Sequence, residues 1–384
     1  MRSSLLAATL AVSVGVSALP QSLPAAAPVA PAIPLEKFNT KKFTKLFTLD
    51  EILSGVFKNI TEAVQNGLED LTDSLTESLT KPLAKPQEKQ EESSFRALAV
   101  DDTVSTAATC ANPRVRTEWD SYSDSDRQAF VSAIRCLQGR GPSGQFGQSR
   151  SRYEDLVALH QTLTPNVHGN AKFLLWHRYY LWTFEDILRT ECGFDRNLPW
   201  FDETRYAGRF SQSSVFSSQW FGAIGLGGNC VTDGQFANLA INVGPGQDNY
   251  AHCLARNGDG SKTQYTSQAM VDACNDQSPY SNMASCAEGG AHAWGHNGIG
   301  AVMQDVFASP ADPVFWLHHA FIDRNFRIWQ NRDSSRVNTV DGRDGGGNPL
   351  TLDTTVNVYG FRPDVTLRDI MDTTSDKLCY KYNY

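Results

Sequence analysis

The stretch D-P-V-F-W-L-H-H-A-F-I-D-R, Asp312 to Arg324, decides how the rest of the chain is read. Its Asp-Pro start is a helix N-cap followed by proline at the first helical position, where the missing N–H would have had no partner. Apolar spacing carries the expected helix on to Asn331. Along it Phe315, His319 and Asp323 fall at i, i+4 and i+8 and share one stripe, while His318 is rotated by about 100°. One of the two histidines faces that stripe and the other packs elsewhere. Helical geometry does not choose between them.

Working outward, the chain has eight histidines among 384 residues, and seven fall into two compact groups. His292 and His296 are four apart, so on a helix they project from one face and can share a metal ion. The group that includes His318 and His319 supplies the third ligand. In the first group, His160 comes late in a predicted helix (Y-E-D-L-V-A-L-H-Q), and His168 follows Pro165 in a short loop. His177 opens the stripe His177, Leu181, Phe184, Leu188 of the next helix. A lone histidine, such as the outlier His252, reads as a satisfied core residue. Two triplets read as two metal sites. All-imidazole sites suit copper, zinc or iron rather than magnesium or calcium, and the absence of H-E-x-x-H argues against a zinc protease.

The remaining sequence frames these groups. Met1-Arg2, the apolar run Leu5 to Val16 and the small residues to Ala18 predict a signal peptide over 1–18. The run is too short for a membrane span, which needs about 20 apolar residues. Residues 19–108 read as a leader: an Ala/Pro-rich start, an amphipathic stretch from Phe47 to Leu79, and a Pro- and charge-rich linker at 81–95. This leader is expected to shield or chaperone the core and to be removed at Lys41-Lys42 or near Arg96. The N-x-S/T sequon at Asn59 would place any N-glycan in it. The main domain is expected over 109–384, mainly α, with helices over 117–139, 152–163, 171–190 and 312–331 and long irregular loops at 222–260 and 341–350. Eight cysteines without a C-x-x-C predict structural disulfides, but they allow 105 pairings. A formal net charge of -8 and a pI near 5.5 work against a nucleic-acid partner. Nothing in the sequence reports an oligomeric state.

At its histidines the chain resembles the tyrosinase and catechol oxidase family. F-L-L-W-H-R-Y-Y-L-W-T-F-E-D-I-L, Phe173 to Leu188, resembles the family's first copper motif, and Asp312 to Arg324 its second. The likeness extends from R-T-E-W at Arg116 to the closing Y-K-Y at Tyr380 to Tyr382. It implies a helical-bundle core with a type-3 centre of two copper ions and O2 as co-substrate. His160, His168 and His177 would hold copper A, and His292, His296 and His319 copper B, with His318 a non-ligand. It also implies Phe315 beneath the pair, Asp323 orienting a histidine, and Glu288 holding a water near copper B, where the bland reading is a solvated residue in a Glu-Gly-Gly turn. Asn297, directly after His296, is a further candidate site residue.

Three departures qualify the likeness. Asn166 stands where many members carry a cysteine crosslinked to the second copper A histidine. Ala293 stands where good monophenol hydroxylases often carry asparagine. The chain stops directly after the tyrosine motif. The expected activity is therefore oxidation of a small o-diphenol to an o-quinone by a secreted enzyme, with monophenol hydroxylation in second place. A tailoring oxidase for a phenolic secondary metabolite and a haemocyanin-like oxygen carrier are the alternatives.

Overall fold

The computed structural model describes residues 30–38, 45–54 and 110–384. The signal peptide, the basic sites at Lys41-Lys42 and Arg96, the sequon at Asn59, the linker at 81–95 and most of the amphipathic stretch lie outside these residues. The described part of that stretch holds one short helix, α1 (Leu49–Leu53), started by a capping box between Thr48 and Glu51.

The main domain is mainly helical, as its periodicity predicts. It is built on α2 (Asp124–Gly139), α3 (Arg152–Val167), α4 (Phe173–Cys192), α5 (Gln268–Asn275), α6 (Tyr280–Ala287), α7 (Ala293–Ile299) and α8 (Phe315–Asn331). Helices α4 and α8 pack along their aromatic stripes, with Phe184 stacked on Trp316 at 3.7 Å between ring centroids. Loops join the remaining elements, including most of 222–260.

Helix ends move where side chains compete for backbone groups. The helix expected over 117–139 starts only at Asp124, because the Ser123 side chain accepts from Asp126 N. Residues Trp119–Ser121 form a separate turn capped by Glu118. Helix α3 runs through Pro165 to Val167, four residues further than the expected end at 163. His168 is therefore its C-terminal cap rather than a loop residue. Proline removes only one donor there, and Thr164 Oγ1 donates to His160 O at 2.7 Å in the same turn. Helix α8 begins at Phe315. The Asp312 carboxylate is drawn into a buried pair with Arg256, at 2.7 and 2.9 Å, and caps Val314 N in the turn ahead of the helix.

The strands among the described residues are short and pair two by two: β1 (Arg114–Arg116) with β6 (Tyr380–Tyr382), β2 (Ala240–Ile241) with β3 (His252–Cys253), and β4 (Thr355–Val356) with β5 (Val365–Thr366). The first pair is parallel, with Arg116 opposite Tyr382, and joins the two ends of the domain. The disulfide Cys110–Cys379 closes the same seam. The other pairs are Cys136–Cys192, Cys230–Cys253 and Cys274–Cys286, so all eight cysteines are bridged.

Two stretches of the N-terminal region lie on this domain. Ile33, Phe38, Phe47 and Ile52 are each at most 4% exposed and join the core. Cys253 N donates to Pro31 O, the Gln304 side chain to Phe38 O, Phe47 N to Gly289 O and Trp294 Nε1 to Phe47 O. Position 289 must be glycine for this approach, since a Cβ there would run into Lys45 O and the Phe47 ring.

Candidate metal centre

Seven histidines converge between α3, α4, α8 and the segment from α6 to α7, forming two buried groups: His160, His168 and His177, and His292, His296, His318 and His319. His160 projects from the middle of α3. His168 follows at its end in extended conformation, which turns its ring back toward His160. His177 lies in the second turn of α4. His292 and His296 come from the junction of α6 and α7, where a widened turn, Glu288–His292, is broken at Gly290 (φ -91°, ψ -120°). His319 lies in the second turn of α8.

Backbone carbonyls fix which ring nitrogens face inward. Nδ1 lies 2.8 Å from Phe307 O for His160, 2.9 Å from Phe173 O for His177, 3.0 Å from Glu288 O for His292 and 2.6 Å from Met303 O for His296. A carbonyl only accepts, so Nδ1 holds the proton and Nε2 presents a lone pair. These lone pairs point at one another: His160 Nε2 is 3.2 Å from His168 Nε2 and 3.4 Å from His177 Nε2, and His296 Nε2 is 3.1 Å from His319 Nε2. Converging lone pairs in a buried site repel unless a cation lies between them. Two imidazoles bonded to one ion at about 2.0–2.1 Å with a tetrahedral angle stand about 3.3 Å apart. The observed spacing fits that arrangement. His292 Nε2, buried without a protein partner, is a further donor aimed into the centre.

Burial also keeps the rings neutral. It pushes His160 down to about 4, and His168, His177, His292, His296 and His319 lie well below the usual range, lowered further in most cases by neighbouring imidazoles. Neutral imidazole is the form that binds metal. The two groups face each other, with His177 stacked on His319 at 4.6 Å and 16°. Phe315 packs against both, 4.0 Å from His319 and 5.5 Å from His160.

The structure separates the two neighbours in α8. His318 Nδ1 is 2.6 Å from Glu203 Oε1, so that ring is engaged by a buried carboxyl. Burial, with Asp202 nearby, holds Glu203 well above the carboxylate range, and burial lowers His318 to about 3. The pair shares one proton and has no net charge. His319 has no such engagement: its Nδ1 is without a protein partner and its Nε2 faces His296.

One expectation, for Asp323, is corrected, and the bland alternative for Glu288 is excluded. Glu288 is not solvated, being 5% exposed, and its contact is with a histidine of the first group: Oε1 accepts from His168 Nδ1 at 3.0 Å and from Gly169 N at 2.9 Å. Burial raises its carboxyl to about 8. Asp323 orients no histidine. It accepts from Arg178 Nε at 2.6 Å, Tyr380 OH at 2.5 Å and Tyr382 OH at 2.6 Å, with Arg116 at 3.5 Å, and thereby ties α4 and α8 to the closing strand pair. Glu203, Arg116 and Arg178 were not anticipated as part of this assembly. An arginine directly after His177 inside an apolar helix is the one sequence signal that pointed toward a buried ion pair. His252, as expected, is a satisfied core residue, with Nδ1 bonded to Tyr250 O at 2.8 Å.

A narrow cavity opens on the centre, lined by His168, His292, Ala293, His296, Asn297 and Met303 among others. The Asn297 side-chain amide donates to Ala293 O at 2.7 Å. A larger hollow beside Lys45 and Arg343 includes Glu288 in its lining but none of the inward histidines.

Residues 150–332 match the family model described as the common central domain of tyrosinase. The chain is 30% identical over 333 residues to tyrosinase P of Aspergillus terreus, covering 72% of this chain and 94% of that protein. It is 30% identical over 364 residues to N-acetyl-6-hydroxytryptophan oxidase ivoB of Emericella nidulans, covering 76% of this chain and 99% of that one. Among solved structures it is similar to a mutant polyphenol oxidase from Thermothelomyces thermophila, with TM-score 0.64 and 26% identity over 71% of this chain and 89% of that one. With its two facing histidine groups, its helical core and these relatives, the chain belongs to the tyrosinase family of type-3 dicopper oxidases.

Proposed function

We propose that the protein oxidises small o-diphenols to o-quinones with O2, with His160, His168 and His177 holding copper A and His292, His296 and His319 holding copper B. The observation that carries this reading is the convergence of buried Nε2 atoms at 3.1–3.4 Å, with every one of these rings except His319 held by a bond at its other nitrogen. When bound, the copper pair supplies O2 activation and takes two electrons from the phenol. The chain's own residues do the positioning. Carbonyls of Phe173, Met303 and Phe307 fix the rings, Glu288 holds His168, and Phe315 closes the floor.

The cavity is narrow and walled by imidazoles and small or apolar side chains, which favours a single-ring phenol. Ala293 and Asn297 line it, so no polar side chain at 293 assists deprotonation of a monophenol, and hydroxylation is the weaker activity. Purified full-length protein should contain two coppers and take up O2 faster with catechol than with tyrosine. Ala293→Asn should raise the monophenol-to-diphenol rate ratio. A zinc-loaded, inert protein would overturn the reading, and brisk tyrosine turnover without a catechol primer would reverse the order of activities.

A second reading has its own support. The similarity to N-acetyl-6-hydroxytryptophan oxidase spans nearly all of that protein, which favours a tailoring oxidase for a substituted phenol. A panel of substituted hydroxyindoles beside catechol distinguishes the two. The four disulfides favour an oxidising compartment, in keeping with a signal peptide over 1–18, a leader over 19–108 and a catalytic domain over 109–384. N-terminal sequencing of secreted protein tests this division.

A further inference from the structure

His318 lies among the second group of histidines yet is tied to another partner. Its Nδ1 stands 2.6 Å from Glu203 Oε1, and both side chains are fully buried. Its ring centroid is 4.5 Å from that of His296, 5.2 Å from His319 and 5.5 Å from His292, so it packs against all three. Three parts of the chain meet at this pair. Glu203 follows Phe201, whose N–H donates to Leu317 O at 3.3 Å, and His318 is the next residue of α8. Helix α7 crosses over both at Gly295, where a Cβ would stand 2.5 Å from His318 Cε1 and 2.8 Å from Glu203 Oε2. A side chain at 295 would push either the pair or the helix that carries His296.

Three imidazoles from separate elements bind one ion tightly only if supporting groups hold them to about 0.5 Å. The carbonyls that orient His292 and His296 fix ring rotation. They leave open the distance between α7 and α8, which the His318 ring fills. Glu203 in turn fixes the His318 ring, since a 2.6 Å hydrogen bond between buried partners allows one orientation.

We propose that Glu203 and His318 form a positioning wedge that sets the spacing of His292, His296 and His319, and so the affinity of copper B alone. The wedge rests on the assignment of those three histidines to one copper. The first triad has its own supports, in Phe307 O, Phe173 O and Glu288, and touches neither wedge residue through a hydrogen bond.

The test is titration of copper-free full-length protein with Cu(I) against a chromophoric chelator, with a melting curve for each variant. Wild type should take up two ions and His319→Ala one. A His319→Ala protein that still binds two ions at full affinity overturns the ligand assignment itself. With that control in place, Glu203→Leu should bind the first ion unchanged and the second about 10–100-fold more weakly, the usual cost of losing a supporting partner. Glu203→Gln, which can still bond His318 Nδ1, should recover most of that loss. A second ion bound as tightly by Glu203→Leu as by wild type overturns the wedge, as does equal weakening of both ions or a Gln variant as impaired as Leu. If Glu203→Leu does not fold, Gly295→Ala carries the test by pressing a methyl on the same pair. Selective loss of the second ion supports the wedge, and unchanged or equal loss refutes it.

Discussion

Asp323→Asn is the substitution whose cost the structure defines best. The carboxylate is 4% exposed and accepts four donors: Arg178 Nε on Oδ1, and Tyr380 OH, Tyr382 OH and Arg116 Nη1 on Oδ2. Burial alone would raise its pKa, but the charges of Arg178 and Arg116 outweigh burial and hold it below the usual range. The amide keeps one acceptor for Arg178, but turns Oδ2 into a donor facing two hydroxyls and a guanidinium. It also removes the charge that balances Arg178. Breaking a buried pair in this way costs about 3–5 kcal/mol. At roughly 2–4 °C per kcal/mol for a domain of this size, the melting temperature should fall by about 6–20 °C. Tyr380→Phe removes one charge-assisted bond and should cost about 2 kcal/mol. Because both changes act on one network, the double variant should lose less than the sum of the two. The assay is thermal unfolding of copper-free protein at pH 7, followed by circular dichroism, for the two single variants and the double. A melting temperature for Asp323→Asn within about 2 °C of wild type, or strictly additive losses, would refute the reasoning.

Two further predictions concern acid and the N-terminal contact. Copper-free protein should lose stability as pH falls from about 6.5 to 4. His160, at about 4 when folded against 6.5 unfolded, binds its proton more readily in the unfolded chain, and 2.5 units correspond to about 3 kcal/mol. The other five inward histidines act in the same direction, whereas Glu288, raised to about 8, acts in the opposite one by gaining stability as pH falls from 8 toward 4.5. Urea midpoints at pH 7 and 4.5 check the sum, and equal midpoints would defeat it. Gly289→Ala should displace the stretch at Lys45 and Phe47 while leaving the four disulfides formed. Limited proteolysis should then cut near Phe47 at least tenfold faster, in line with loss of about 1.4 kcal/mol or more of local stability. An unchanged cleavage rate would show that the contact contributes little.

The sequence by itself determined the helical class, the two histidine groups and the part that α3, α4 and α8 play in carrying them. These features are written in local spacing: the i, i+4 relation of His292 and His296, the stripe from His177, and the stripe from Phe315 through His319. Local spacing also explains the errors at the helix ends, where Ser123 and Asp312 had more than one backbone or side-chain partner available. The choice between His318 and His319 followed from resemblance at the sequence level. Only the fold supplies its physical basis, because Glu203 lies 115 positions from His318 and no periodicity links them. Long-range pairs of this kind are invisible to periodicity: the four disulfides, the Asp323 network that joins four separate parts of the chain, and the contact of Glu288 with His168 across 120 positions. Buried polar groups must find partners wherever the chain brings them, and only the folded backbone decides which ones meet.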